Sequence, residues 1–358
     1  MFFKHALPFF ISTLLLAGCQ SSFGPQSINN THAPYNQAIA DTANQQMLLN
    51  LVRLKYRDEM FFLKVGSVTS TFTMKSNIGA DFVKNLGLGS YSTLAKDLIS
   101  PALGMSYSDI PTISYLPLQG EDFFKSVLSP ISLDTLLVLI QSGWNIDRVF
   151  NLCVERVNDL YNSPSSAFSS TTNPEHDKFS TVSKLLRSLQ LSHSIEVGLS
   201  QDNLHLMILF RPTPENQSSI DELQNLLGIK GGATNNLFRI SSDFLGVSPN
   251  QITINTRGIS SIMHYLAQTV VSPHEHIKAG LVEPNVNLGK ETEKLFQVNV
   301  SEYPPDNAFI TVPYRGYWFY IAANDLRSKS VFMLLSQLFN LQSGQIKYTG
   351  PTLTLPVR

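Results

Sequence analysis

Hydrophobic positions along the chain recur at two spacings, one typical of helices and the other of strands. Helical spacing predicts helices at 36–57, 133–140, 145–160, 179–189, 219–227, 260–270 and 331–339. Alternating or β-branched runs predict strands at 61–74, 112–118, 194–199, 204–210, 251–255, 296–300, 308–313, 317–322 and 353–357. Because these elements mix without β-α-β alternation, we expect an α+β fold of mainly antiparallel sheets packed by amphipathic helices.

Residues at helix boundaries sharpen several of these predictions. Ser132 and Asn145 are expected N-caps, and Asn324 or Asp325 is expected to cap the last helix. Gly228 is expected to end the helix at 219–227. In the predicted helix 145–160, Cys153 lies on the apolar stripe with Val149, Val157 and Leu160. That position predicts a buried, unreactive thiol.

The segment 162–177 differs from its surroundings in composition. It is rich in Ser, Thr and Pro and shows no hydrophobic periodicity, as is typical of a linker. We therefore expect two domains, an N-terminal α+β domain at 36–161 and a C-terminal α+β domain at 178–358.

A Gly- and Ser-rich insert at 75–109 allows two interpretations. The favoured one is a long surface loop with a short helix at 95–99. The alternative is a pair of strands, since apolar alternation reaches Met74 and resumes at Met105. Such amphipathic hairpins occur in oligomeric outer-membrane export channels, although Lys75, Asp81, Lys84 and Lys96 interrupt the ten-residue apolar alternation of a membrane-facing strand. The insert is the strongest candidate for contact with a membrane or a partner.

The first 18 residues have the order of a secretory signal. Lys4 gives a positive start, residues 6–16 are almost wholly apolar, and small residues follow. The apolar stretch is too short to span a bilayer. The sequence Leu16-Ala17-Gly18-Cys19 resembles the lipobox of bacterial lipoprotein signal peptides.

This resemblance implies a signal peptide at 1–18, removed by cleavage before Cys19. It also implies a diacylglyceryl thioether on Cys19 and acylation of the freed amine, with fatty acids such as palmitate. Three acyl chains would fix the protein to a membrane, because each buried methylene contributes about 0.8 kcal/mol. Gln20 indicates the outer membrane, facing the periplasm, and the polar segment 19–35 is expected to be a flexible tether.

Composition limits the classes of partner. Hydrophobic residues make up 43% of the chain and charged residues only 15%, with a formal net charge of −1. We expect no nucleic-acid binding, since no basic stripe is present. Once Cys19 is acylated, Cys153 has no intrachain partner, so stability must come from the core.

Motifs for catalysis are missing from the sequence. It contains no Gly-x-Ser-x-Gly, His-Glu-x-x-His, Cys-x-x-Cys or phosphate-binding Gly-Lys-Thr pattern. We therefore expect neither an enzyme nor a bound cofactor. The weak metal candidates are His274 and His276, expected on one side of an extended segment with Glu275 pointing away, plus His264 or Glu283 as a third ligand.

An aromatic cluster marks one predicted hairpin. Alternation places Tyr317 and Phe319 on one face and Trp318 and Tyr320 on the other, with Tyr314 just before the turn. One face must pack inward, and cross-strand packing explains the cluster without a ligand. The face that does not pack inward could bind peptidoglycan sugars or form a subunit interface, and the candidate residues of this interaction surface are Tyr314, Tyr317, Trp318 and Tyr320.

Four segments, 46–53, 111–115, 314–320 and 353–357, resemble a group of outer-membrane lipoproteins whose function is unassigned. The resemblance implies no catalytic residues. We expect a lipid-anchored outer-membrane protein of the cell envelope that acts as a non-enzymatic structural or interaction module, bound to an envelope protein or to copies of itself. The alternatives are a subunit of an oligomeric export or secretion channel or its accessory ring, and a metal-dependent envelope hydrolase.

Overall fold

A computed structural model describes residues 23–78, 103–162, 174–200, 205–229, 236–242, 250–284, 295–344 and 353–356. The helices are α1 (Phe23–Lys55), α2 (Glu121–Leu128), α3 (Leu133–Gln141), α4 (Ile146–Cys153), α5 (Pro174–Leu191), α6 (Gln217–Leu227), α7 (Ile259–Ala267), α8 (His274–Lys278) and α9 (Leu326–Ser343). The strands are β1 (Phe62–Ile78), β2 (Leu103–Leu118), β3 (Val154–Val157), β4 (Leu160–Tyr161), β5 (Ile195–Leu199), β6 (Leu206–Phe210), β7 (Leu237–Ser241), β8 (Gln251–Thr256), β9 (Asn299–Ser301), β10 (Ala308–Tyr314), β11 (Tyr317–Ala322) and β12 (Leu353–Pro356). The predicted α+β class, rich in antiparallel sheet, is confirmed.

The chain divides into two compact units. Unit 1 contains the described residues of 1–60 and 127–343, and unit 2 contains those of 61–126 and 344–358. This division differs from the boundary predicted at 162–177. Helices α4 and α5, on either side of that segment, pack against each other in unit 1. The predicted N- and C-terminal domains also share one sheet, because β3 pairs with β8.

Unit 1 is built on a six-stranded sheet of order β4-β3-β8-β7-β6-β5. Its pairs are antiparallel except β7 with β8. Helices α3, α4, α5 and α6 supply apolar side chains that meet those of the sheet around a cavity of about 30 Å³. The cavity is lined only by aliphatic and aromatic side chains, so it is a small packing gap of the core.

A second, three-stranded sheet of order β10-β11-β9 completes unit 1. Helix α1 packs against β10 and α7, with Leu48, Leu51 and Val52 fully buried. Helix α9 begins after Asp325, whose carboxylate accepts hydrogen bonds from the backbone N–H and hydroxyl of Ser328. The predicted cap at Asp325 is thereby confirmed.

Unit 2 is a three-stranded antiparallel sheet of order β1-β2-β12. Strands β1 and β2 pair from Phe62 opposite Leu118 to Ile78 opposite Leu103, with one irregularity between Val65 and Ser67. Of the insert at 75–109, the described residues 75–78 and 103–109 are strand, so the loop interpretation is wrong for them. The helix predicted at 95–99 lies outside the described residues.

Two predicted boundaries are corrected inside unit 1. The helix expected at 145–160 ends at Cys153, and Val157 and Leu160 lie in strands. A contact from a distant part of the chain explains why α4 ends there. Arg257, only 3% exposed, donates through Nη1 to the carbonyl oxygens of Asn151 and Leu152, at 3.0 and 3.1 Å. Its backbone N–H donates to the Cys153 carbonyl at 2.7 Å, so the last carbonyls of α4 are satisfied from another strand end.

The N-terminal part of the chain is described from Phe23 onward. Helix α1 begins at Phe23, so the described part of the segment expected to be a tether, 19–35, has a helical backbone from that residue onward. Pro34 lies inside this helix.

Candidate functional site

The most interconnected polar cluster in unit 1 surrounds Tyr56, immediately after α1. Its side chain is 6% exposed, and its hydroxyl lies 2.7 Å from Nδ1 of His276. The ring makes edge contacts with His276, Tyr314 and Phe319 at centroid distances of 5.7, 5.3 and 6.2 Å. Burial raises the pKa of Tyr56 to about 12, with Arg315 opposing the shift. Tyr56 is therefore a neutral hydrogen-bonding group at physiological pH.

Asp58 joins the same cluster to the β10–β11 turn. Its carboxylate accepts a hydrogen bond from the Tyr314 hydroxyl. It also forms an ion pair with Arg315, whose Nη2 lies 3.0 Å from Oδ2 of Asp58. The Tyr314 hydrogen bond, with help from Arg315, holds the pKa of Asp58 below its usual value. The guanidinium of Arg315 also lies 5.3 Å from the centre of the Tyr56 ring.

The turn itself requires unusual backbone angles. Arg315 and Gly316 have φ values of +46° and +85°, as a two-residue hairpin with two left-handed positions requires. This turn directs Arg315 to Asp58, and strand β11 then starts at Tyr317.

Helix α8 supplies the third side of the cluster. The Tyr317 hydroxyl donates to Oε2 of Glu275 at 3.1 Å, and the Tyr317 ring lies 5.1 Å from that of His276. The extended conformation predicted for 274–276 is wrong, since His274 begins a short helix. In a helix, residues two positions apart lie about 200° apart around the axis, so His274 and His276 are not on one side as the extended segment would have placed them.

The other metal candidates lie in different settings. His264 is half-buried in α7, where burial lowers its pKa. Glu283 forms an ion pair with Arg57 at 2.5 Å. Across the described ranges, no group of three His, Cys, Asp or Glu side chains is placed to hold a metal ion.

The predicted interaction surface is divided between two faces of β11. Phe319 and Ile321 are fully buried, which confirms the predicted alternation, and Tyr314 and Tyr317 belong to the cluster described above. Trp318 and Tyr320 point to the opposite face and are half-buried. Trp318 and Tyr320 therefore lie on the face of β11 opposite Phe319 and Ile321.

Cys153 has the environment that the sequence predicted. It is completely buried, and burial raises the pKa of its thiol to about 12. A thiol held protonated in this way is a poor nucleophile.

The hydroxyl and carboxylate groups of the cluster bind one another, so the arrangement can hold helices and strands together. Tyr56, Asp58, Glu275 and Arg315 bring together the end of α1, helix α8 and the β10–β11 turn. Sequence reasoning missed Tyr56 and Asp58, because their partners are more than 200 residues away. The local feature that could have drawn attention to them is the sequence Tyr-Arg-Asp at the end of a predicted helix. In the structure, Arg57 in this sequence has a φ of +61°.

The second candidate is the β1–β2 hairpin of unit 2. Strands β12 and β2 pair only from Tyr115 to Thr112. Residues 103–111 of β2 pair with residues 70–78 of β1 alone, and among the described strands none pairs with the outer edge of β1. The hairpin therefore extends nine residues beyond the three-stranded part, about 30 Å at the usual rise of a strand.

The lipobox residues Leu16, Ala17, Gly18 and Cys19 lie outside the described residues. In the parts of the chain that are described, no helix has both the length and the apolar composition needed to cross a bilayer. Comparison with protein-family models, curated proteins and solved structures finds no match to this chain.

Proposed function

We propose that this protein is a lipoprotein of the bacterial outer membrane, anchored through acyl chains on Cys19 and facing the periplasm. It acts as a non-enzymatic interaction module and uses the β1–β2 hairpin to contact another envelope protein or further copies of itself. The hairpin is the observation that carries the proposal.

Three features support the hairpin as the contact. Strands of 17 and 16 residues are about three times the average length. The outer edge of β1 and the 103–111 part of β2 offer backbone N–H and carbonyl groups to an added strand. The Tyr56 cluster, in contrast, has its polar groups joined to each other.

Replacement of Cys19 by Ser tests the anchor. We expect Cys19→Ser to move the protein from the membrane fraction to the soluble periplasmic fraction and to abolish the mass added by the lipid. The matched control is Cys153→Ser, which removes the other cysteine and should stay in the membrane fraction. An unmodified first residue in wild type, or unchanged fractionation of Cys19→Ser, would contradict the anchor.

Shortening the hairpin tests the contact. Residues 71–110 are replaced by an Asn-Gly turn, which retains the part of β1 and β2 next to β12. After mild detergent extraction, wild type should migrate as an assembly larger than a monomer, and the shortened variant as a monomer. Monomeric wild type would contradict the proposal.

A second candidate is a subunit of an oligomeric export or secretion channel, or of its accessory ring. The two open edges of the same hairpin favour it, because edges on both sides of a sheet permit head-to-tail pairing of identical copies. The native mass separates the candidates. A mass that includes another polypeptide, or that equals two copies of the chain, indicates an interaction module, whereas a larger fixed multiple of the monomer mass indicates a ring.

A further inference from the structure

A polar cleft in unit 1 lies apart from both candidates described above. Its volume is about 280 Å³, just below the usual range for small-molecule sites. Helices α4, α5, α7 and α9 supply most of its lining. The described lining residues are Asn145, Asp147, Arg148, Asn151, His176, Ser180, Lys184, Tyr265, Leu295 and Arg327.

The charge of this lining is opposite to that of the whole chain. Arg148, Lys184 and Arg327 contribute three positive charges and Asp147 one negative charge, so with neutral His176 the described lining carries +2. The whole chain carries −1. Cations that line a cleft with low-dielectric walls raise the local concentration of anions.

Arg148 is partly removed from solvent at this cleft. Burial lowers the pKa of its guanidinium, Asp147 opposes the shift, and Arg327 and Arg187 add to it. An anion bound beside Arg148 would stabilise its charged form.

The first turn of α4 borders the same place. Asn145, the N-cap, makes no side-chain hydrogen bond to the helix. The backbone N–H groups of Ile146, Arg148 and Val149 already donate to Gln190 Oε1 and to the Asn145 carbonyl, so the turn contributes mainly the partial positive charge of a helix start, which favours an anion.

Contacts with α5 hold this turn in position. Asn151 Nδ2 donates to the Asp147 carbonyl at 2.7 Å and to Ser183 Oγ at 3.0 Å. Gln190 Oε1 accepts from the Ile146 N–H at 3.1 Å and from Arg187 Nη1 at 2.6 Å. The cleft is therefore built from fixed elements, so an anion would bind without first ordering them.

We infer that this cleft binds a phosphate group, held by Arg148, Lys184 and Arg327 at the N-terminal end of α4. Two guanidinium groups match the geometry of phosphate oxygens, and the volume admits a small anion rather than a polymer. The inference is independent of the hairpin and of the lipid anchor.

The test is calorimetric titration of the full-length protein with inorganic phosphate at low ionic strength, with sodium chloride added to a reference sample at the same ionic strength. We expect saturable binding by wild type. Arg327→Ala should weaken it about tenfold, as expected for loss of one charged hydrogen-bonding partner. Asp147→Asn should strengthen it, since it removes the described carboxylate of the cleft.

Arg239→Ala is the matched control, because Arg239 is an exposed arginine of β7 outside the described lining. It should bind phosphate as wild type does. Lys184→Ala gives a second weakening variant if Arg327→Ala fails to fold. Absence of saturable binding by wild type, or equal affinities of Arg327→Ala and Arg239→Ala, would overturn the inference.

Glycerol 3-phosphate, titrated in parallel, distinguishes two sources of the same group. Tighter binding than inorganic phosphate supports a phosphorylated headgroup as the ligand. Equal or weaker binding supports free phosphate.

Discussion

In unit 1, hydrogen bonds from polar side chains join elements that are distant in sequence. In unit 2, the main contacts are the backbone hydrogen bonds between the strands of one hairpin. Asn158 links the β3–β4 turn to α6 and β8, donating to the Leu227 carbonyl and accepting from the Thr253 N–H. Arg257, which follows β8, donates hydrogen bonds to the last carbonyl groups of α4. In unit 2, β1 pairs with β2 over 16 positions, and β12 adds four more.

This contrast separates a unit joined by long-range side-chain contacts from a unit joined by strand pairing. Side-chain bonds between distant elements fix a unique packing, and removing one partner leaves a buried group unsatisfied. Among the described strands, the hairpin continues beyond the part that β12 covers, and no further strand pairs with its edges there. We therefore expect substitutions in unit 1 to alter its unfolding strongly, and changes to the hairpin to alter assembly.

Arg257→Met should have the largest effect on unit 1. It leaves the carbonyl groups of Asn151 and Leu152 without this donor in a buried place, which should lower the free energy of unfolding by about 3 kcal/mol. Urea denaturation followed by circular dichroism measures it. The control Arg239→Met replaces an exposed arginine and should change the midpoint little. Equal effects of the two variants would refute this role of Arg257.

The same substitution at two glycines compares the units directly. A Cβ atom on Gly258 would lie 2.6 Å from the Leu128 carbonyl oxygen, a backbone atom that cannot easily move. A Cβ on Gly66, in β1, would meet the Leu116 side chain at 3.1 Å. We expect Gly258→Ala to cost about 2 kcal/mol and Gly66→Ala about 0.5 kcal/mol. Urea midpoints in the reverse order would contradict the comparison.

Tyr56→Phe isolates the hydroxyl at the centre of the cluster. It keeps the ring contacts but removes the hydrogen bond with His276, so the free energy of unfolding should fall by about 1 kcal/mol. Tyr303→Phe is the control, since Tyr303 is 77% exposed. If both variants melted at the wild-type temperature, the prediction that the Tyr56 hydroxyl stabilises the fold would be contradicted.

Asp58→Asn should have a smaller and pH-dependent effect. Because the folded-state pKa of Asp58 is lowered, its stabilisation is present above the unfolded value of 3.8 and disappears as pH falls through the folded value. The side chains of Asp58 and Arg315 are more than a third exposed, so solvent screening limits the difference to about 0.5 kcal/mol at pH 7.

Denaturation curves at pH 7 and at about pH 2.5 measure this difference. The difference between wild type and Asp58→Asn should be smaller at the lower pH. A difference that grew as pH fell would have the wrong sign for a carboxylate with a lowered pKa.

Shortening the hairpin should have the smallest effect on unit 1. Replacement of 71–110 by an Asn-Gly turn removes no described hydrogen bond of unit 1, so its unfolding free energy should change by less than about 0.5 kcal/mol. Hydrogen exchange at the backbone N–H groups of β6 and β8 reports on unit 1 alone. Faster exchange there would show that the hairpin stabilises unit 1.

Local signals predicted the elements whose ends depend on neighbouring residues. Ser132 Oγ accepts from the Thr135 N–H at the start of α3, and Gly228 ends α6 with a φ of +65°. The hairpin at 195–210 and the strands at 308–322 also follow the alternation seen in the sequence. These features depend on spacing and caps within a few residues, which a single sequence displays.

Long-range contacts decided the rest. Alternation did not show that β1 and β2 pair beyond residue 74, because loop and strand compositions overlap in the insert. Helical spacing could not show that α4 ends at Cys153, since the group that ends it is Arg257. The Tyr56 cluster and the cleft around Arg148 likewise combine side chains from elements far apart in the chain.

The sequence by itself determined the α+β class, most element positions, the buried state of Cys153 and the caps that start and stop several helices. The fold of the whole chain set the division into two units, because β12, at residues 353–356, pairs with β2, at residues 103–118. It also decided which charges and aromatic rings meet. Hydrophobic spacing and caps are local properties, whereas strand pairing and the meeting of charges depend on how the whole chain closes on itself.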